Sequence, residues 1–87
     1  MNYDVFITAH GFSLSVLRLN SGSATVTFIN QTHQNRSAVA DGGEFNSGTI
    51  APGGGRAVVP VGGLTTCLHP YHDGFFPNFK ATIIKES

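Results

Sequence analysis

The sequence has one cysteine, one methionine and no tryptophan among its 87 residues. A single cysteine excludes an internal disulfide framework, so packing alone must hold the fold. Five Lys and Arg residues balance five Asp and Glu residues, which excludes the basic surface that binds nucleic acid or an anionic membrane. No apolar run approaches the roughly 20 residues of a membrane span. We therefore expect one domain over residues 1–87, with no nucleic-acid partner and no membrane span.

Helix signals are also missing, because no apolar pattern repeats every 3.6 residues and eleven glycines interrupt the chain. Alternating apolar and polar residues between glycine-rich turns are typical of β-strands instead. Extended segments are predicted at residues 2–9, 16–20, 24–30, 37–40, 56–61, 64–67 and 81–85. Seven or eight short strands at close spacing predict an all-β, single-domain β-sandwich.

Four motifs occur in an order that resembles the cupredoxin (plastocyanin/azurin-like) family. They are GFSLSVLRLNSGSATVTFIN at 11–30, FNSGTIAPGGGRAVV at 45–59, CLHPYH at 67–72 and FKATII at 79–84. Together they cover nearly the whole chain. The resemblance implies a Greek-key β-sandwich that holds a metal between loops at one end.

The resemblance also implies one copper ion, bound by a thiolate and two neutral imidazoles with a weak axial ligand. CLHPYH resembles the copper loop, with Cys67 and His72 separated by four residues as in the azurin branch of the family. His69 is the competing loop ligand. The family's Cys-x-x-His-Pro pattern has two residues between the cysteine and the histidine, whereas only one residue separates Cys67 from His69. We therefore expect Cys67 and His72 as ligands, with His69 as the alternative.

The family's other histidine follows the V-x-F-x-N strand by about six residues, a count that runs from Asn30 to Arg36. An arginine does not lose its proton to become a ligand. His33 lies in the same loop, three residues earlier, and His10 follows the first predicted strand at the same end of the sandwich. Either histidine is a candidate for the vacant position, and loss of this ligand is the alternative.

The axial methionine of the family is also replaced. Counting forward from His72 on the azurin pattern places the methionine at Phe76, whereas counting back from the last strand places it at Phe79. An apolar axial residue is compatible with copper and raises the reduction potential. The same phenylalanines also suit a site that has lost its metal, a docking patch or ordinary core packing.

The sequence thus favours a copper-binding, non-enzymatic protein that transfers one electron to a redox partner protein. The alternative is a metal-free or degenerate cupredoxin-fold structural or interaction module, and a third option is copper carriage without redox function. Cysteine hydrolase chemistry is disfavoured, because no third group that would orient a Cys/His pair is recognisable. The family implies an extracytoplasmic location, periplasmic or secreted, although the first residues, MNYDVFITA, do not read as a signal peptide.

Overall fold

The computed structural model describes residues 2–20, 25–65 and 68–86. Within these ranges the chain forms eight strands and no helix. The strands are β1 (Asn2–Thr8), β2 (Gly11–Phe12), β3 (Val16–Leu19), β4 (Thr25–Asn30), β5 (Val39–Ala40), β6 (Gly55–Pro60), β7 (Leu68–His72) and β8 (Lys80–Lys85). In this described part, no helix is long and apolar enough to cross a membrane.

The strands form two four-stranded sheets, ordered β2-β1-β4-β6 and β3-β8-β7-β5. Each sheet is mixed: β1 runs parallel to β4 and β3 runs parallel to β8, whereas the other neighbours are antiparallel. The predicted all-β sandwich is therefore confirmed.

The core lies between the two sheets and follows the alternation of the strands. Val5 and Ile7 of β1 are buried, as are Ala81 and Ile83 of β8. Near the centre, the Tyr71 ring packs against three phenylalanine rings, with centroid separations of 4.8 Å to Phe12, 5.6 Å to Phe28 and 5.7 Å to Phe45. The contacts with Phe12 and Phe28 are edge-on, and such contacts add to the stability that burial of the rings provides.

The segment around CLHPYH differs from its predicted structure. Residues 68–72 form strand β7 and not a metal-binding loop, while Leu64 and Thr65 of the predicted strand at 64–67 lie outside any strand. Thr66 and Cys67 lie outside the described residues. The loop that leads into the last strand is therefore residues 73–79.

Two residues conceal β7 in the sequence. His69 points inward and is buried, and a histidine at a core position breaks the apolar alternation by which a strand is recognised. Pro70 lacks a backbone N–H and is typical of turns and sheet edges. In the fold, Pro70 lies opposite Thr82 of β8, and its carbonyl accepts a 2.9 Å hydrogen bond from the backbone N–H of Asp41. Tertiary contacts thus override both local signals.

Candidate functional site at the pole of the sandwich

Asn30, at the end of β4, fixes the loop that follows. Its buried side-chain amide donates to the carbonyls of Gln34 at 2.7 Å and Ile50 at 2.9 Å. Its Oδ1 accepts from the backbone N–H of Thr32 at 2.9 Å and from the Thr32 hydroxyl at 2.7 Å. Arg36 then exchanges two backbone hydrogen bonds with Ile50. These bonds position Arg36 at the end of the sandwich.

Asp73 organises the loop between β7 and β8 in a similar way. Its buried carboxylate Oδ1 accepts backbone N–H hydrogen bonds from Phe75 at 2.9 Å, Phe76 at 3.3 Å and Ser37 at 3.4 Å. The backbone N–H of Asp73 donates to the Phe79 carbonyl at 3.0 Å. Local bonds of an Asp side chain to the residues that follow are a common device for closing a turn.

Arg36 and Asp73 form a buried ion pair where these two loops meet. Nε of Arg36 donates to Oδ2 of Asp73, and the two side chains are 2% and 0% exposed. Nη1 of Arg36 donates to the Thr8 carbonyl, the last residue of β1, at 3.2 Å. The pair thus connects three segments at one pole of the molecule.

Two phenylalanine rings complete the surroundings of the guanidinium. Cζ of Arg36 lies 4.7 Å from the ring centroid of Phe76 and 4.9 Å from that of Phe79. The two centroids are only 6.1 Å apart, so the rings occupy adjacent sides of the cation and do not sandwich it. A guanidinium against aromatic rings at these distances gains cation–π attraction, which is stronger where water is excluded.

A pocket of about 550 Å³ opens beside this cluster. Its lining includes Ala9, His33, Arg36, Phe76 and Phe79. His33 is exposed, whereas both phenylalanines are half-buried. Of the candidate site residues from the sequence, the structure therefore brings together His33, Phe76 and Phe79, around Arg36. His10 is exposed in the turn after β1, where its backbone N–H donates to the Thr8 hydroxyl at 3.2 Å.

The two histidines of β7 have other partners. Nδ1 of His72 is 2.6 Å from Oδ1 of Asp41, and Nδ1 of His69 is 2.7 Å from Oε2 of Glu44. Among the described residues, no three His, Asp or Glu side chains are grouped so that they could hold a metal ion. The structure therefore does not bring His69, His72 and the Arg36 cluster together into one set of ligands.

The direction of β7 determines which of its ends lies near the pole. β7 runs toward the pole, so Leu68 lies at its remote end, five residues before Asp73, roughly 17 Å at the rise of a β-strand. Cys67 itself lies outside the described residues, and its role stays a prediction.

The surroundings of the His69 ring favour its protonated form. Nδ1 faces the Glu44 carboxylate and Nε2 faces the Thr65 carbonyl at 2.9 Å, so both ring nitrogens must carry a proton to donate. Burial by itself lowers the pKa of His69, but the Glu44 carboxylate and the Thr65 carbonyl outweigh it and raise the pKa above its ordinary value of 6.5. The hydrogen bond from His69 in turn lowers the pKa of Glu44.

The residues at the pole do not fit a copper ion. When the Cys-x-x-His spacing of the family is counted from Asp73, the first residue after β7, it arrives at Phe76, and the methionine position falls at Phe79. The position of the other family histidine is Arg36. At these described positions the chain has a carboxylate, a guanidinium and two phenyl rings, whereas copper sites of this type require thiolate and imidazole donors.

Asp73 is the residue that sequence reasoning missed. The spacing was measured from Cys67, the only thiol, although counting back from the strand-like FKATII would have led to Asp73 three residues before Phe76 and six before Phe79. Two features of the sequence indicate this pairing. Asp73 is the only acidic residue in the phenylalanine-rich stretch HDGFFPNF, and Arg36 is a cation at a position where a ligand is expected.

Neither a family model nor a curated protein matches the sequence. Solved structures do match. A reduced Cu(I) form of an amicyanin variant has a TM-score of 0.80 at 17% identity, covering 97% of this chain and 81% of that one. An oxidised form of another amicyanin variant has a TM-score of 0.81 at 16% identity, with the same coverage. The described strands and these neighbours agree with the motif order of the sequence, and the chain therefore has the cupredoxin fold.

Proposed function

We propose that this protein is a metal-independent binding module of cupredoxin fold, in which the Arg36–Asp73 ion pair takes the place of a metal ion. One observation carries the proposal: the buried guanidinium of Arg36 is held by the Asp73 carboxylate between the two loops at the pole. A metal at such a pole would hold the two loops together by coordination. Here the ion pair and the Thr8 hydrogen bond link the same segments.

Electrostatics supports this reading. Two unit charges of the same sign about 4 Å apart repel by roughly 4 kcal/mol at an effective dielectric constant of about 20. A copper ion beside Arg36 would meet that repulsion, and Asp73 is already engaged by Arg36 and by three backbone N–H groups. Binding copper there would require both groups to give up their partners.

The proposal assigns no catalytic step and no redox partner to the chain. The amicyanin neighbours include a Cu(I) form, which keeps copper binding by Cys67, His72 and either His33 or His10 as the competing prediction. Electron transfer, copper carriage and an extracytoplasmic location belong to that competing prediction.

A copper titration distinguishes the metal-independent module from a copper-binding protein. Purified protein receives one equivalent of Cu(II), and its visible absorption and bound copper are measured after gel filtration. We expect no intense thiolate-to-copper absorption and no retained stoichiometric copper. An intense band that is lost in Cys67→Ser would overturn the proposal, and His10→Ala, His33→Ala, His69→Ala and His72→Ala would then identify the ligands.

A redesigned chain provides the positive control. Cys67→Ser removes the native thiol, and Arg36→His, Asp73→Cys, Phe76→His and Phe79→Met together install the family's donors at the four positions assigned above. We expect this variant to develop the absorption that the native protein lacks. A folded variant that remains colourless would show that these four positions are not equivalent to the ligand positions of copper-binding cupredoxins.

A further inference from the structure

The pocket at the pole has the size and lining of a small-molecule site. Its volume of about 550 Å³ lies within the roughly 300–1,000 Å³ that is typical of ligand pockets. Phe76 and Phe79 give it two apolar aromatic walls, and polar side chains form most of the rest of the lining: Gln31, Thr32, His33, Gln34 and Arg36. Apolar walls combined with polar groups that orient the ligand are typical of such sites.

The guanidinium has hydrogen-bonding capacity that the protein does not use. Nε donates to Asp73 and Nη1 donates to the Thr8 carbonyl, but Nη2 is buried without a partner among the described residues. A buried donor left unpaired costs free energy, because it has lost its hydrogen bonds to water. A ligand oxygen that accepts from Nη2 would recover this cost.

Arg36 lines the pocket, but its Nη2 is buried. The Phe76 and Phe79 rings line the pocket and stand against the guanidinium, and both side chains are only half-buried. Rotation of a partly exposed side chain is fast. Displacement of one ring by a ligand connects the pocket to Nη2 without any change in the sheets.

Charge decides which acceptor suits the site. The positive charge of Arg36 is already balanced by Asp73, so a carboxylate ligand would place an unbalanced anion in a poorly solvated position, which is costly. A neutral carbonyl accepts the hydrogen bond without that cost. From this we infer that the pocket binds a small neutral molecule with an aromatic or aliphatic body, its carbonyl oxygen accepting a hydrogen bond from Nη2 of Arg36.

This inference rests on the proposed function, because it requires Arg36 to remain in place without a metal. Benzamide is a suitable probe, and it is titrated into ¹⁵N-labelled protein in EDTA while the Arg36 side-chain signals and the backbone amides of the loop between β7 and β8 are followed by NMR. Toluene, which is neutral and has the same ring but no carbonyl, and benzoate, which is an anion, are the matched compounds.

We expect saturable shifts with benzamide and an affinity at least about tenfold higher than for either matched compound, as one good hydrogen bond allows. Tighter binding of benzoate would overturn the choice of a neutral acceptor. Equal binding of toluene would overturn the role of Nη2, and the absence of saturable shifts with all three compounds would overturn the site.

Two variants locate the binding. Phe76→Ala removes a pocket wall and is expected to weaken benzamide binding by about tenfold. Phe75→Ala is the control, because Phe75 is the neighbouring exposed residue and is not part of the lining. Equal losses in both variants would contradict binding in this pocket. Copper uptake by the native protein would overturn the proposed function separately, whatever the outcome with benzamide.

Discussion

A buried ion pair stabilises a fold only while both partners are present, since removing one leaves an uncompensated charge in a poorly solvated place. Arg36 and Asp73 are in this situation, with 2% and 0% of their side chains exposed. Cation–π contacts with Phe76 and Phe79 add to the environment that holds the guanidinium. The residue-scale consequences can be measured by mutation.

We expect Arg36→Met to lower the free energy of unfolding by about 3–5 kcal/mol, and Asp73→Leu to lower it further, because it also removes the acceptor of three backbone N–H groups. The double variant Arg36→Met/Asp73→Leu should be more stable than the sum of the two losses predicts, because it leaves neither charge alone. Denaturant unfolding of the four proteins gives the coupling energy.

The exposed pair of Arg18 and Glu86 is the matched control. Its atoms are 3.5 Å apart, and its side chains are 65% and 53% exposed. Arg18→Met should therefore change stability by less than about 1 kcal/mol. Additive losses in the Arg36/Asp73 cycle would show that the two side chains do not interact as the structure indicates.

Removal of the Tyr71 hydroxyl, unlike removal of Arg36 or Asp73, is not expected to destabilise the fold. Its hydroxyl is buried with no hydrogen-bond partner among the described residues, and burial raises the pKa of this group. Tyr71→Phe keeps the ring contacts with Phe12, Phe28 and Phe45 but removes the unpaired polar atom. We expect unfolding by denaturant to show equal or greater stability, by up to about 1 kcal/mol. A loss above that value would reveal a partner for the hydroxyl.

At this scale the sequence locates Arg36 but not its partner. Arg36 follows from a count along one loop, beginning at Asn30, which is a local relationship. Asp73 lies 37 positions away, and nothing in either loop specifies that the two side chains meet. The pairing arises only when the sheets bring the ends of β1, β4 and β7 to one pole.

At the scale of elements, two histidine–carboxylate pairs connect β7 to the turn that follows β5. His69 pairs with Glu44 and His72 pairs with Asp41. The turn is otherwise attached by backbone bonds such as the one from Asp41 to the Pro70 carbonyl. The His69 pair is the more buried of the two, so it should make the attachment of this turn depend on pH.

The direction of this dependence follows from the pKa shifts. The pKa of His69 is raised, so its contribution to stability is complete below about pH 6.5 and is lost as the pH rises through the folded-state pKa. The pKa of Glu44 is lowered from 4.5, so its contribution is complete above that pH and is lost as the pH falls through the folded-state pKa. The pair therefore stabilises the fold most between these limits.

Unfolding free energies of the native protein and His69→Gln, measured from pH 5 to pH 9, test this expectation. The advantage of the native protein should shrink as the pH rises above 6.5. His72→Gln is the control, because the His72–Asp41 pair is more exposed and should contribute less. An advantage that stays constant over this range would contradict a protonated, buried His69.

Strand β7 also shows where sequence patterns fail to predict a strand. Most strands follow from alternation, as in β1 and β8, but β7 contains a buried histidine and a proline that resemble loop signals. His69 is accommodated because Glu44 and the Thr65 carbonyl lie opposite its two nitrogens. Glu44 is distant in sequence, and Thr65 lies outside any strand, so no local pattern indicates these partners. The sequence therefore places this strand at 64–67, several residues before β7, and places the metal-binding loop on β7 itself.

At the scale of the whole molecule, the order of glycine turns and apolar motifs was sufficient to predict the fold, since the structure matches amicyanin structures at only 16–17% identity. The chemistry of the site was not predictable from the sequence to the same degree. The fold is determined by core positions distributed over all strands, whereas the site depends on four side chains at one pole. Substitution of these few residues changes the chemistry and leaves the core intact.

Unfolding of the native protein in EDTA and in excess Cu(II) is the most direct test of an ion pair in place of a metal. A native metal site would add about 4 kcal/mol of stability when free copper exceeds the dissociation constant a thousandfold. We predict the same free energy of unfolding in both conditions, with the Arg36–Asp73 pair sufficient to hold the pole. A copper-dependent increase, abolished by Cys67→Ser, would contradict this account.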